Sequence, residues 1–156
     1  MLCRILFISA LLCCAPASYA QSFNVRTQPA YVFVGILDVA VDIALTEYLS
    51  LAPTLKTTAD FSAQQWGIEV IQHRPRFSET GWRTHGHVQY GAIMGSFHTQ
   101  WKLTVLSSHQ WRWDTFNLAL GIGPEFTYGR EDYATDVISD NWRLWPTARL
   151  SIGWFF

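Results

Sequence analysis

Side-chain character alternates with a period of two through most of this chain, and the two faces differ in kind. Between residues 116 and 123 one face carries Phe116, Leu118, Leu120 and Ile122, and the other Asn117, Ala119, Gly121 and Gly123. Period two is the mark of a β-strand, whose successive side chains point to opposite sides. The pattern recurs at 48–58, where Leu49, Leu51 and Leu55 oppose Ser50, Thr54, Lys56 and Thr58. At 82–94, Trp82, Val88, Tyr90, Ala92 and Met94 oppose Arg83, His85, His87, Gln89 and Gly91, and in the last strand Leu144, Ala148, Leu150, Ile152, Trp154 and Phe156 oppose Arg143, Thr147, Arg149, Ser151 and Gly153. A soluble sandwich also alternates and is the competing fold. Glycines and charges sharing one face, however, suit the crowded interior of a narrow barrel whose large apolar groups meet lipid. Closure also leaves no unpaired strand edge, which hydrocarbon penalises by several kcal/mol for each bare backbone group.

The beginning of the chain reads as an export signal. Residues 1–20 carry one cation, Arg4, an apolar run from Ile5 to Cys14, and the small-residue exit Ser18-Tyr19-Ala20, which predicts cleavage before Gln21. The run is shorter than the ~20 residues of a membrane helix. Lipid attachment at Cys13 or Cys14 is the competing reading, but the preceding residue, Leu12 or Cys13, is not the small one such a site wants. Cys3, Cys13 and Cys14 are the only cysteines, so residues 21–156, the expected single barrel domain, hold no disulfide, thiolate nucleophile or cysteine metal site. Without Arg4, ten of the eleven Lys and Arg remain against twelve Asp and Glu. No basic patch points to nucleic acid. The aromatic count is high, with eight Trp, six Tyr and ten Phe, yet no segment after residue 20 has the ~18 consecutive apolar residues of a membrane helix.

Strands are predicted at 48–58, 65–72, 82–92, 97–107, 113–128 and 142–156. A single-chain bacterial barrel has an even strand number, so 22–44 is expected to supply two more strands turning near Gly35, giving eight. Turns at 45–47, 73–81 and 108–112 then share one side, and loops at 59–64, 93–96 and 129–141 the other. Tyr48, Trp82, Trp111, Trp113, Trp154 and Phe156 fall near one rim, with Phe97, Tyr128, Trp142 and Trp145 near the other, as in the aromatic girdles of such barrels. Pro124 and Pro146 become neighbours and are expected beyond the apolar belt or at bulges; Pro53 fits least.

Asp38, Asp42, Glu69 and Glu125 are expected to face Lys56, Arg83, Lys102 and Arg149 in the lumen. Eight strands enclose an interior that side chains about fill, and buried charge persists only when paired, so a plug of ion pairs is expected rather than an ion path. His85 and His87 share a face, but His98, placed opposite Gly91, lies too far along its strand to complete a metal site. Hydrogen bonding in the lumen is expected of the histidines, with no metal and no cofactor. The acids near 129–141, Glu131, Asp132, Asp136 and Asp140, read as a solvated loop, although carboxylates also bind divalent cations.

With the exit Ser18-Tyr19-Ala20, the segment Asp42-Ile43-Ala44-Leu45-Thr46-Glu47-Tyr48-Leu49-Ser50-Leu51 and the terminal Ser151-Ile152-Gly153-Trp154-Phe155-Phe156, the chain resembles the small outer-membrane β-barrel proteins of the OmpA-type and OmpX-like kind. The resemblance implies an eight-stranded antiparallel transmembrane barrel in the bacterial outer membrane, in contact with lipid and lipopolysaccharide and probed during biogenesis by the barrel assembly machinery, which reads Phe156 with Trp154 and Ile152. It implies a monomer with a structural, membrane-integrity or binding role and no catalysis. Its short loops depart from an adhesin. The alternatives are a narrow solute channel and a lipid A-modifying enzyme. The His-x-Ser motif of the deacylases of this size is absent, and Ser107 or Ser96 would have to join a histidine and an acid from distant strands.

Overall fold

The computed structural model describes residues 23–92, 99–132 and 138–156. Eight antiparallel strands form a closed barrel in sequence order: β1 (Phe23–Thr27), β2 (Ile36–Thr46), β3 (Leu49–Thr58), β4 (Gln64–Arg74), β5 (Gly81–Ala92), β6 (Thr99–Trp113), β7 (Phe116–Asp132) and β8 (Ile138–Phe155). β1 pairs with both β2 and β8 and closes the ring. Residues 22–44 therefore supply two strands. Between them runs α1 (Pro29–Val32), one turn of helix started by a proline in its first turn and followed by Gly35 at φ +73°, a conformation glycine takes without penalty.

The register fixes the shape. Followed across the hydrogen-bonding direction, Thr27 leads through Val39, Leu55, Trp66, Tyr90, Trp101 and Tyr128 to Trp142. At the closing seam Thr27 pairs with Ile152, which lies ten residues further along β8 than Trp142. That stagger over eight strands tilts them by roughly 40° from the barrel axis.

The faces sort as the alternation predicts. On β5, Arg83, His85, His87 and Gln89 are buried while Trp82, Val88 and Tyr90 are exposed. On β7, Asn117 and Ala119 are buried while Leu120, Ile122 and Phe126 are exposed. The molecule is thus inverted relative to a water-soluble protein, whose interior is mostly apolar. Its buried apolar cluster is small, Ala44, Phe77 and Phe155, and lies at the end where β1 begins and β8 ends. There the segment 75–80 folds inward. Phe77 packs edge-on against His73 and Phe155, at 5.1 and 5.4 Å between ring centres. Its N–H donates to the Glu47 carbonyl at 2.7 Å, and its carbonyl accepts from Arg83 at 3.1 Å.

Two aromatic zones bound the exposed apolar surface. Near the terminal end stand Tyr48, Trp82, Trp111, Trp113, Phe116, Trp154 and Phe156, with Phe116 between Trp113 and Trp154 at 6.0 and 5.7 Å. Toward the other end Trp66, Tyr90, Trp101, Tyr128 and Trp142 follow one another across five strands. On β6, Trp101 and Trp111 are ten residues apart, about 33 Å along the strand and about 25 Å along the axis at that tilt. Trp145 does not join them: it pairs with Glu125 on the lumen-facing register, opposite in parity to Trp142. Phe97 lies outside the described residues, as do residues 1–22 with their three cysteines.

Three local expectations change. The turn placed at 108–112 lies instead at Asp114-Thr115, with Asp114 at φ +52°, so β6 runs on through Trp113. Asp tolerates that left-handed conformation better than most residues, and the aromatic alternation of Trp111 and Trp113 is strand, not turn. Pro124 and Pro146 face each other as expected, but four residues short of the Tyr128–Trp142 pair and in an unbroken β7–β8 register. The β6–β7 ladder passes over Gly123 and Pro124, which is where the missing N–H is absorbed. Pro53 is accommodated likewise: the β2–β3 ladder breaks between Ala40↔Thr54 and Ile43↔Leu51.

Candidate functional site

The lumen is the one part of the described structure where titratable groups gather. Its centre is Glu69, on the inward face of β4 and fully buried. It accepts from Arg26 of β1 at 2.5 Å, from Arg149 of β8 at 2.7 Å and from His85 of β5 at 2.9 Å. Arg26 also donates to Asp42 at 2.7 Å, and Asp42 accepts from Asn24 at 2.8 Å, which in turn accepts from Asn117 at 2.7 Å. One carboxylate therefore ties β4 and β5 to β1 and β8 across the ring. Charge-assisted bonds of this kind are stronger than neutral ones, and in a low-dielectric interior they hold because every charged partner is met.

Around this centre the sequence-predicted charges divide. Lys56 meets Asp38 at 3.3 Å, and Lys102 meets Glu125 at 3.4 Å. Lys56 also lies 3.9 Å from the Tyr31 ring centre, so the residues around α1 reach back over the lumen. Arg149 joins Glu69, as described. Arg83 is the exception: it has no carboxylate within ion-pair distance among the described residues and donates to the Phe77 carbonyl instead. It is positioned to hold the inward-folded segment, a role that face assignment alone does not reveal. Arg26 was absent from the predicted set. Its signal was present in the sequence, since Asn24 and Arg26 alternate with Val25, but residues 22–44 gave no register until the strand pairing was known.

The histidines take part in hydrogen bonds. A carboxylate only accepts, so His85 Nδ1 donates to Glu69, and in the neutral ring Nε2 accepts from the Ser108 hydroxyl, 2.6 Å away. Arginine only donates, so His87 Nδ1 accepts from Arg149 at 3.0 Å and Nε2 donates to Thr54 at 3.0 Å. His73 Nε2 pairs with Ser50 at 2.8 Å while its Nδ1 is buried without a partner. Among the described residues no group of three or more His, Cys, Asp or Glu is gathered as a metal would require. Gly91 pairs with Gln100, not with His98, which lies outside the described residues.

Ser107, named from the sequence as a potential nucleophile, faces outward; its neighbour Ser108 is the inward one. The misplaced turn at 108–112 hid it. Ser96 lies outside the described residues, as does Asp136, and the side chains of Arg130, Glu131, Asp132 and Asp140 are likewise not described. Two small cavities, each with room for about one water molecule, flank Arg26 and Arg149. One is lined by Thr27, Gln28, Asp38, Thr54 and His87, the other by His85, Leu106, Ser108, Ala119 and Gly121. No family model, curated protein or solved structure matches this chain. Its reading therefore rests on its own geometry.

The terminal strand is laid out as follows. Phe156 is exposed at the rim and donates its N–H to the Phe23 carbonyl at 2.9 Å. Trp154 is exposed and packs on Phe116, and Ile152 pairs with Thr27 at the seam.

Proposed function

We propose that this chain is a small bacterial outer-membrane barrel, exported by a signal cleaved after Ala20, which serves the membrane as a structural or binding element and not as a passage. The observation that carries the reading is the inverted distribution of side chains: a buried network centred on Glu69 inside, and outside an apolar belt about 25 Å tall between two aromatic zones, the height expected of the lipid-facing band of such barrels. Water offers no reason to display Trp66, Trp101, Ile122 and Leu144 together. Lipid does. In this reading the start of β1, the end of β8 and the short turns face the periplasm, α1 and the loop at 59–63 face outward, and outer-leaflet lipid and lipopolysaccharide are the neighbours. The rim position of Phe156 beside Trp154 supports their reading by the assembly machinery. The protein acts as a monomer.

Passage of solutes is disfavoured by the same side chains. Arg26, Glu69, Arg149 and His85 meet across the middle, and Phe77 closes the terminal end. Aqueous channels use about sixteen strands or more. The test is gel mobility of detergent-extracted protein, with and without boiling, from separated inner and outer membranes, followed by planar-bilayer recording. A heat-dependent shift in the outer fraction with no unitary conductance is expected. A soluble periplasmic protein would overturn the location, and regular conductance steps would overturn the filled lumen.

A further inference from the structure

Ser108, His85 and Glu69 come from three strands, and their atoms meet in a defined order. The Ser108 hydroxyl lies 2.6 Å from His85 Nε2, and His85 Nδ1 lies 2.9 Å from Glu69. This is nucleophile to base and base to orienting acid, each through the ring nitrogen that the role requires. A hydrogen-bonded plug needs no such order; His87 and His73 satisfy their hydroxyl partners without a carboxylate behind the ring. Beside Ser108 is the second cavity, lined by Leu106, Ala119 and Gly121 and also by Arg26 and Arg149. Gly121 is what leaves Ser108 room: a Cβ there would stand 2.8 Å from the Ser108 Cβ. Cationic side chains lining a small space beside a nucleophile are what a developing oxyanion needs.

There is also a way in. β1 stops at Thr27, opposite Ile152, while β8 continues to Ile138. Phe155 N–H donates to the Thr115 carbonyl just before β7 and Phe156 N–H to Phe23 of β1, so along β8 the even positions turn their backbone groups to the β1 side. Above Ile152 these are Leu150, Ala148, Pro146 and Leu144, and among the described residues no backbone hydrogen bond joins them to residues 28–35. Pro146 removes one donor from that edge, as proline does on edge strands. The wall is completed there by α1, which lies against β2 and β8; Val32 at its end and Phe33 and Val34 after it are exposed. In lipid, irregular backbone at this depth is tolerated where it borders a polar cavity. The cavity behind the break, lined by Thr27, Gln28 and Asp38, shares Arg26, Arg149 and Ser151 with the one beside Ser108.

We propose that Ser108 is a nucleophile, activated by His85 and with Glu69 as the positioning residue, for the carboxylic ester of a membrane amphiphile whose chain enters at the break between β1 and β8. The entry route rests on the membrane reading above; the reactivity of Ser108 does not. Ser108 Oγ attacks the ester carbonyl carbon as its proton passes to His85 Nε2, and the new oxyanion faces Arg26 and Arg149. The ester C–O bond breaks, the leaving oxygen takes the proton from Nε2, and the acyl group remains on Ser108. Water then attacks the acyl carbon, giving its proton to Nε2. The acyl–Oγ bond breaks, Oγ regains the proton, and an alcohol and a carboxylic acid leave.

The test treats folded barrel in detergent with a short-chain alkyl fluorophosphonate and locates the adduct by peptide mass spectrometry, with native gel mobility confirming the fold of each sample. Adduct on Ser108 is expected, abolished in Ser108→Ala, unchanged in Ser107→Ala, and slowed about 10²–10⁴-fold in His85→Gln, the range of a positioned general base. Should His85→Gln not fold, Gly121→Ala, which fills the space beside Ser108, must slow the reaction instead. Folded wild-type barrel that carries no adduct on Ser108, or an adduct that forms as fast without His85, overturns the proposal. These results stand whichever membrane the protein occupies, so they fail separately from the location test. A second arm compares a short p-nitrophenyl ester with a long-chain one. Faster turnover of the long chain supports entry from lipid, and equal or slower turnover overturns that route.

Discussion

Removing the Glu69 carboxylate leaves Arg26 buried and Arg149 part-buried, with Asp42 as the one carboxylate among the described residues still bonded to either. Breaking a buried ion pair from one side is destabilising by about 3–5 kcal/mol because a charge stays uncompensated. Glu69→Leu is therefore expected to lower the denaturation midpoint of the folded barrel by an amount corresponding to that range, read by urea titration of tryptophan fluorescence in detergent. Loss below about 1 kcal/mol would show that the network is slack. Much of this site was legible as residue type and face. Asp42, Glu69 and Arg149 sit where a period of two places them. Pairing was not legible, because which charges meet across a lumen depends on the stagger of strands far apart in sequence. Arg26 and Ser108 were missed for one reason each: an unassigned register in 22–44, and a turn placed five residues early.

At the scale of strands, periodicity located six elements well and the even-number rule supplied the other two. It could not foresee that β1 would end at Thr27 and that one turn of helix would fill the wall above it, since helix Pro29–Val32 is too short to carry a period. Pro53, Pro124 and Pro146 illustrate the same point. Each falls on a strand, and each is tolerated where a ladder is interrupted or an edge is bare. Backbone proximity gives a sharper prediction. A Cβ at Gly123 would stand 1.9 Å from the Val105 carbonyl oxygen, so β6 and β7 close over that position only when it is glycine. Gly123→Ala is expected to reduce the heat-shifted fraction at least several-fold, and a normal fraction would mean that the two strands separate freely there. On the outward face of β6, Leu103→Arg is expected to destabilise folding into lipid vesicles by about 2–4 kcal/mol, the range for a charge near the bilayer midplane. The same change should have little effect if that face meets water.

The described barrel is a closed wall with a polar interior, completed where β8 pairs with β1. Phe156→Ala is expected to leave export intact and to lower the outer-membrane level of folded protein, measured by heat-shift densitometry of membrane fractions; an unchanged level would remove Phe156 from recognition. The central claim is that the large apolar face meets lipid while the small and polar face meets the lumen, and β7 tests it most directly. Single cysteines from Asn117 to Tyr128, in the chain that lacks cysteine after residue 20, are spin-labelled in reconstituted bilayers and their collision rates with oxygen and a water-soluble nickel complex compared. Oxygen access should peak at Leu118, Leu120, Ile122 and Phe126 with period two, highest midway between Phe116 and Tyr128. Even positions that meet the nickel complex as freely as a surface loop would contradict the account.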